Sequence, residues 1–190
     1  ALKPYVEMVD AVVLGPGLGL HSETKEFVKG CVSAVESAGK PLLLDADGLK
    51  AFAEFKKPLK VPFVLTPHAG EYAILTGRKL SENLSERVSE VQETAAELNA
   101  VILLKGPVDV ICGEKRVKLN FAHNPGMTVG GTGDVLSGVV GAFLAQKADP
   151  FEAAVAGAFV NGAAGDFVAN DIGYHMVATD LLDWIPRVLN

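Results

Sequence analysis

The chain has 190 residues, of which 49% are hydrophobic and 21% charged, a balance that supports a packed core and excludes an extended disordered protein. Its 17 Lys and Arg against 23 Asp and Glu leave a net charge of −6, which excludes a general nucleic-acid binder, although a few backbone N–H groups can still hold a phosphate locally. The longest apolar stretch, Val135–Ala145, is far shorter than the roughly 20 residues of a membrane span.

The first ten residues mix charged and apolar side chains without the pattern of a secretory leader, so a cytoplasmic, membrane-free protein is expected. Cys31 and Cys112 lie in apolar stretches and read as reduced core thiols. The run Ala11–Leu14 predicts a buried strand that ends in the glycine turn Gly15-Pro-Gly-Leu-Gly19. Ser22 is placed to cap a helix with Phe27, Val28, Cys31, Val32 and Val35 inward, stopped by Gly39. Leu42–Leu44 and Phe63–Leu65 are two more short strands, ending at Asp45-Ala-Asp47 and Thr66-Pro-His68. Leu84, Val88, Val91, Ala95 and Leu98 mark one face of a helix that Asn99 ends. Val101–Leu104 is a fourth strand, and the segments around Val108–Cys112 and Arg116–Asn120 form a hairpin.

Three helices complete the chain. One begins near Thr132 or Gly133 and points Leu136, Val139, Val140, Phe143 and Leu144 inward. A second is opened by Asp149-Pro150. The last is opened by Thr179-Asp180, with Leu181, Leu182, Trp184, Ile185 and Val188 inward. Apolar strands alternating with helices predict an α/β fold, a mostly parallel sheet covered on both faces, in one domain over residues 1–190. Ligands of such sheets bind beyond the carboxyl ends of the strands, where the unusual residues collect.

The stretch Asn124 to Asp134 carries the most chemistry. Glycines at 130, 131 and 133 at the start of a helix predict an anion hole formed by Gly131, Thr132 and Gly133, suited to a phosphoryl group. Asp134 at its mouth is the candidate base for a substrate hydroxyl; the other reading is a plain helix cap. Gly15 to Gly19 is either a simple βα turn or a close approach of backbone to ligand, and it lacks the spacing of a dinucleotide fingerprint. His68 is a candidate hydrogen-bonding partner of a substrate and Glu71 a water-mediated metal contact; equally, His68 can cap the following helix and Glu71 can sit in its first turn. Lys105-Gly106-Pro107-Val108-Asp109 is either a turn lying against a nucleotide, with Lys105 near its phosphates, or an ordinary β-turn with an exposed lysine. Asp45 and Asp47 are weaker metal candidates, and Asp47 can instead cap a helix. His21, His123 and His175 stand alone and read as surface or loop residues. No Walker A motif is present, which excludes a P-loop mechanism.

Taken in order, Gly15-Pro-Gly-Leu-Gly19, Leu43–Leu49, Leu65-Thr-Pro-His-Ala-Gly-Glu71, Leu104-Lys-Gly106, Asn124-Pro-Gly-Met127 and Gly131-Thr-Gly-Asp134 resemble the NAD(P)H-hydrate dehydratases of the ribokinase-like superfamily. The resemblance covers nearly the whole chain. It implies a ribokinase-like fold and repair of hydrated NADH or NADPH, in the S-form, back to NAD(P)H at the expense of ADP or, in some members, ATP, with Mg²⁺. By the same resemblance Gly17, Gly19 and His68 contact the hydrate, Lys105–Asp109 and Gly133 the adenine nucleotide, and Asp134 the hydrate as base. It further implies a homo-oligomer, an epimerase domain fused to or paired with this one, and an additional N-terminal strand-and-helix section ahead of residue 1. The competing functions are a thiazole or hydroxymethylpyrimidine kinase of the same superfamily and a non-catalytic adenine-nucleotide-binding module.

Overall fold

The structure, a computed structural model, describes residues 2–190. Six strands form one sheet in the order β1-β2-β3-β4-β5-β6. They are β1 (Val12–Leu14), β2 (Leu42–Leu44), β3 (Phe63–Leu65), β4 (Val101–Leu104), β5 (Asp109–Cys112) and β6 (Val117–Asn120). The pairs from β1 to β4 are parallel, in registers such as Val13 with Leu43 and Leu43 with Val64. β4, β5 and β6 pair antiparallel, because β5 and β6 return through a short hairpin whereas each parallel neighbour is reached through a helical crossover.

Strand side chains alternate between the two faces of the sheet. On one face Leu42, Leu44, Phe63, Leu65, Ile102 and Leu104 pack against α2 (Ser22–Ala38), α3 (Ala46–Phe52), α4 (Ala69–Thr76) and α5 (Leu84–Leu98), with α1 (Lys3–Met8) adding Val6. On the other, Leu43, Val64, Leu103 and Ile111 meet α6 (Thr132–Ala145) and α7 (Pro150–Ile172). α8 (Asp180–Val188) closes over the end of α7 through Leu181 and Trp184. A parallel sheet buried on both faces explains why β2, β3 and β4 are continuous apolar runs.

Several local expectations are corrected. α2 is capped by His21, whose ring accepts from the Glu23 N–H at 3.4 Å, so Ser22 is its first residue and not its cap. Phe27 is 43% exposed because it falls off the stripe formed by Val28, Cys31, Val32 and Val35. Leu182 is 52% exposed, on the outer side of α8 from the buried Leu181, and Thr179 makes no side-chain cap. α1 and a 3-10 turn at Pro125–Thr128 are additional elements.

Candidate functional site

Parallel pairing brings the carboxyl ends of β1 to β4 to one edge. β3 and β4 are further joined beyond their ends by a bridge between His68 and Lys105, with the Lys105 N–H donating to the Pro67 carbonyl at 2.8 Å. β5 starts and β6 ends at this same edge, since Asp109 pairs with Asn120. The turn after β1 is possible because Gly15 takes φ +142°, where a Cβ would fall 1.8 Å from the Asp45 carbonyl oxygen. Gly17 and Gly19, also at positive φ, have open space where a side chain would stand.

The chemistry is organised around Asp45, a residue the sequence offered only as a weak metal ligand. It is 1% exposed. Its Oδ1 accepts from Lys105 Nζ at 2.8 Å and its Oδ2 from Ser137 Oγ at 2.7 Å. Lys105 Nζ also lies 3.8 Å from Glu71 Oε2. A buried carboxylate costs heavily unless its oxygens are paired, and here both are. Ser137 stands on α6, so Asp45 ties the end of β2 to the end of β4 and to the first turns of α6. Neither Asp45 nor Ser137 was a candidate for this role from sequence, because the pairs span 60 and 92 positions. Asp47 neither caps nor stands free: it accepts from the Gly19 N–H at 2.9 Å and from Lys50 Nζ at 2.9 Å, which pins the glycine turn to α3.

His68 and Glu71 form a reciprocal capping box at the start of α4. His68 Nδ1 accepts from the N–H groups of Gly70 and Glu71 at 3.0 and 3.3 Å, and Glu71 Oε2 accepts from the His68 N–H at 3.0 Å. The capping alternative therefore holds for both residues. It also fixes the ring, because a neutral imidazole that accepts at Nδ1 carries its proton on Nε2. The His68 side chain is 57% exposed, whereas Glu71 is buried.

The segment ahead of α6 is built as an open helix start. Gly131 takes φ 97° at the N-cap position and supplies no capping side chain. Thr132 is turned away: its hydroxyl donates to the carbonyls of Met127 and Val129 at 2.8 and 3.1 Å and holds the Pro125–Thr128 turn in place. Asn124 steadies the same loop by donating to Asp166 Oδ1 at 2.9 Å and accepting from the Gly126 N–H at 3.0 Å. The first-turn N–H groups of α6 thus carry no side-chain cap among the described residues, and an uncapped helix start attracts anions. Asp134 lies in that first turn, exposed, and does not serve as the cap. Gly133 faces Lys105, with its built Cβ position 3.4 Å from Lys105 Nζ and 3.9 Å from Asp45 Oδ2.

Lys105 is therefore not the freely exposed lysine of an ordinary turn. Downstream of it, Asp109 closes the turn, accepting from the Gly106 N–H at 3.1 Å and from Asn120 Nδ2 at 2.9 Å. Burial is the largest influence on Asp109 and pushes its carboxyl above the ordinary range, against the opposing pull of those two hydrogen bonds. Gly106 and Pro107 are exposed and Val108 half-buried, so the turn presents backbone to the edge. His123, expected as a surface or loop residue, lies in the loop after β6, half-buried, with Nδ1 enclosed and unpartnered among the described residues.

These residues gather at one edge, between strand ends and helix starts. A separate cavity of about 420 Å³ lies against Asn124, Asp166, Asn170 and Tyr174, and none of the expected ligand contacts lines it. Among the described residues no three His, Cys, Asp or Glu side chains converge as a ready metal cage, and no helix is long and apolar enough to cross a membrane.

Comparison with known proteins agrees with this geometry. A solved structure of the ADP/ATP-dependent NAD(P)H-hydrate dehydratase from Bacillus subtilis, co-crystallised with ATP and Mg²⁺, superposes with a TM-score of 0.84 at 32% identity, over 98% of this chain and 68% of that one. A ribokinase-like superfamily protein from Enterococcus faecalis gives 0.82 at 29% identity, over 98% of this chain and 64% of that one. The bifunctional NAD(P)H-hydrate repair enzyme of Pyrobaculum aerophilum is 48% identical over 189 residues, which cover 99% of this chain and 37% of that protein. The chain thus spans little more than a third of the length of that curated relative. With the NAD(P)H-hydrate dehydratase family model matching residues 3–187, from α1 to the last turn of α8, the chain belongs to the NAD(P)H-hydrate dehydratase family and has its ribokinase-like fold.

Proposed function

We propose that this chain is the nucleotide-dependent dehydratase unit that returns the S-form of hydrated NADH or NADPH to the intact cofactor, using ADP or ATP and releasing phosphate. The observation that carries the proposal is the uncapped start of α6 beside Lys105, with an exposed carboxylate, Asp134, in its first turn. In the longer protein an epimerase is the natural companion activity, since it would supply the S-form.

The N–H groups of Gly131, Thr132 and Gly133 hold the terminal phosphoryl group, with Lys105 beside them as the counter-charge. Gly106 to Asp109 lie along the nucleotide. Gly17 and Gly19 let the hydrated dinucleotide approach the backbone closely, and His68 donates to it from Nε2. Asp134 accepts the proton of the hydrate's hydroxyl. The freed oxygen attacks the terminal phosphoryl group as AMP (from ADP) or ADP (from ATP) leaves, and phosphate then departs from the hydrated carbon while the adjacent carbon loses a proton, which restores the ring double bond.

Two carboxylates, Asp45 and Glu71, face one ammonium, Lys105, and leave a local excess of negative charge that suits a cation carried in with the nucleotide. Mg²⁺ ligated mainly by phosphate oxygens and water needs few protein ligands, so Glu71 would hold it through water. When bound, it shields the phosphate charge.

The test is a coupled assay with chemically prepared hydrated NADH, Mg²⁺ and either ADP or ATP, following restored NADH and free phosphate. The two should appear together in equal amounts. A stable phosphorylated product without NADH would establish a small-molecule kinase, and nucleotide binding without turnover would establish a binding module.

A further inference from the structure

We infer that Ser137 is a positioning residue for the phosphoryl site: acting through Asp45, its hydroxyl holds the Lys105 ammonium at the start of α6. The inference rests on the nucleotide reading above and adds a residue to it. Ser137 lies on α6 one turn after Asp134 and is fully buried. Its hydroxyl donates to Asp45 Oδ2 at 2.7 Å. A serine inside a helix commonly returns that proton to the carbonyl four residues back. Ser33, Ser37 and Ser89 do so here, donating to the carbonyls of Lys29, Ser33 and Ser85 at 3.0, 2.8 and 3.3 Å. Ser137 departs from them and reaches out of its helix to a carboxylate 92 positions away.

That bond decides where Asp45 points. The terminal torsion of an aspartate is broad, so a carboxylate held at one oxygen is free to turn. Asp45 is held at both, by Ser137 on Oδ2 and by Lys105 Nζ on Oδ1 at 2.8 Å. The fixed Oδ1 in turn fixes the ammonium, 3.4 Å from the built Cβ position of Gly133 and 3.8 Å from Glu71 Oε2. Lys105 thus stands where the terminal phosphoryl group arrives, with protons left to donate to it.

Removing the hydroxyl changes both charges that the phosphoryl group meets. Asp45 is 1% exposed, so an Oδ2 without its donor is a buried acceptor that water reaches poorly. The Lys105 ammonium, already on the other oxygen of the same carboxylate, then shifts to serve both and is drawn into Asp45. Oδ2 itself, 3.9 Å from the built Gly133 Cβ, is left with its negative charge unmasked toward the helix start. Each change weakens the hold on the terminal phosphoryl group and leaves the rest of the nucleotide untouched.

The experiment compares ADP with AMP, which lacks that phosphoryl group, by calorimetric titration of the full-length protein and of S137A. The wild type should bind ADP at least about tenfold more tightly than AMP, the weight of a hydrogen bond to a charged group. S137A should lower this ratio about fivefold while its AMP affinity stays within about twofold of wild type. Thermal unfolding without ligand reports the folded state, and S137C, whose thiol is only a weak donor, stands in should S137A not fold. A folded variant that keeps the full ratio, or that loses ADP and AMP affinity equally, would overturn the inference and leave the nucleotide site intact. A wild type that binds ADP no better than AMP would overturn the phosphoryl site and this inference together.

Discussion

Lys105 Nζ lies 2.8 Å from Asp45 Oδ1 across the carboxyl ends of two strands, although the residues are 60 positions apart. The pair sits 3.4 Å, measured from the lysine, from the place where a side chain on Gly133 would begin. A cation at the positive end of a helix is unfavourable alone, and Asp45 supplies the offsetting charge. Removing one partner of a buried pair is costly, so Asp45→Asn should destabilise the fold by about 2–4 kcal/mol, short of the upper range because Lys105 keeps 21% side-chain exposure. Adding Lys105→Met should recover part of that loss. Denaturant unfolding of the single and double variants measures both effects, and a loss that simply adds would show that the pair is not coupled.

Asp134→Asn separates chemistry from structure. Asp134 is exposed and does not cap α6, so stability should change by no more than about 0.5 kcal/mol. Turnover of hydrated NADH should fall by roughly 10²–10⁴, the usual contribution of a general base, while nucleotide affinity is kept or improved. Wild-type turnover in the variant would remove Asp134 from the mechanism.

Asp109 gives a pH signature. Burial, outweighing the hydrogen bonds from Asn120 and Gly106, raises its native carboxyl above the ordinary value. The folded state therefore holds the proton more tightly than the unfolded chain. The stability this contributes is complete below the unfolded carboxyl pKa and is lost as pH rises through the higher native one. Asp109→Asn does not titrate, so its Tm relative to wild type should climb as pH rises above the ordinary aspartate pKa of about 3.9 and level off once the native carboxyl has ionised. A difference independent of pH would contradict the raised value.

Cys112 is fully buried beneath α5, its thiol pushed up to about 12 by desolvation and donating weakly to the Val88 carbonyl at 3.8 Å. Burial raises the Cys31 thiol as well. At about pH 8 the native protein should resist iodoacetamide at Cys112, because thiolate is scarce and access is closed, and unfolding in denaturant should release both thiols for reaction. Mass spectrometry of native and unfolded samples reads this directly.

The strands and most helices were legible because their signals are local. Leu42–Leu44, Phe63–Leu65 and Val101–Leu104 are apolar runs closed by distinctive residues, and Gly39 and Asn99 stop helices in left-handed conformations. The gathering of polar clusters at one edge followed from parallel pairing alone. What could not be read were relationships between distant positions. Asp45 carries no mark of its contact with Ser137, 92 residues away. The geometry of His68 was similarly hidden, since the sequence does not say that capping uses Nδ1 and leaves the other ring nitrogen free of that task.

The order β1-β2-β3-β4-β5-β6 means that each strand from β2 to β6 pairs with the one made just before it. A chain emerging from the ribosome can therefore extend its sheet strand by strand, each newcomer finding its neighbour already synthesised. The α6 start and Ser137 both follow β6. A nascent chain halted at the end of β6 would hold the Asp45–Lys105 pair with neither Ser137 to complete it nor a helix start to face it. The finished edge is thus assembled late in synthesis, after every strand has been made.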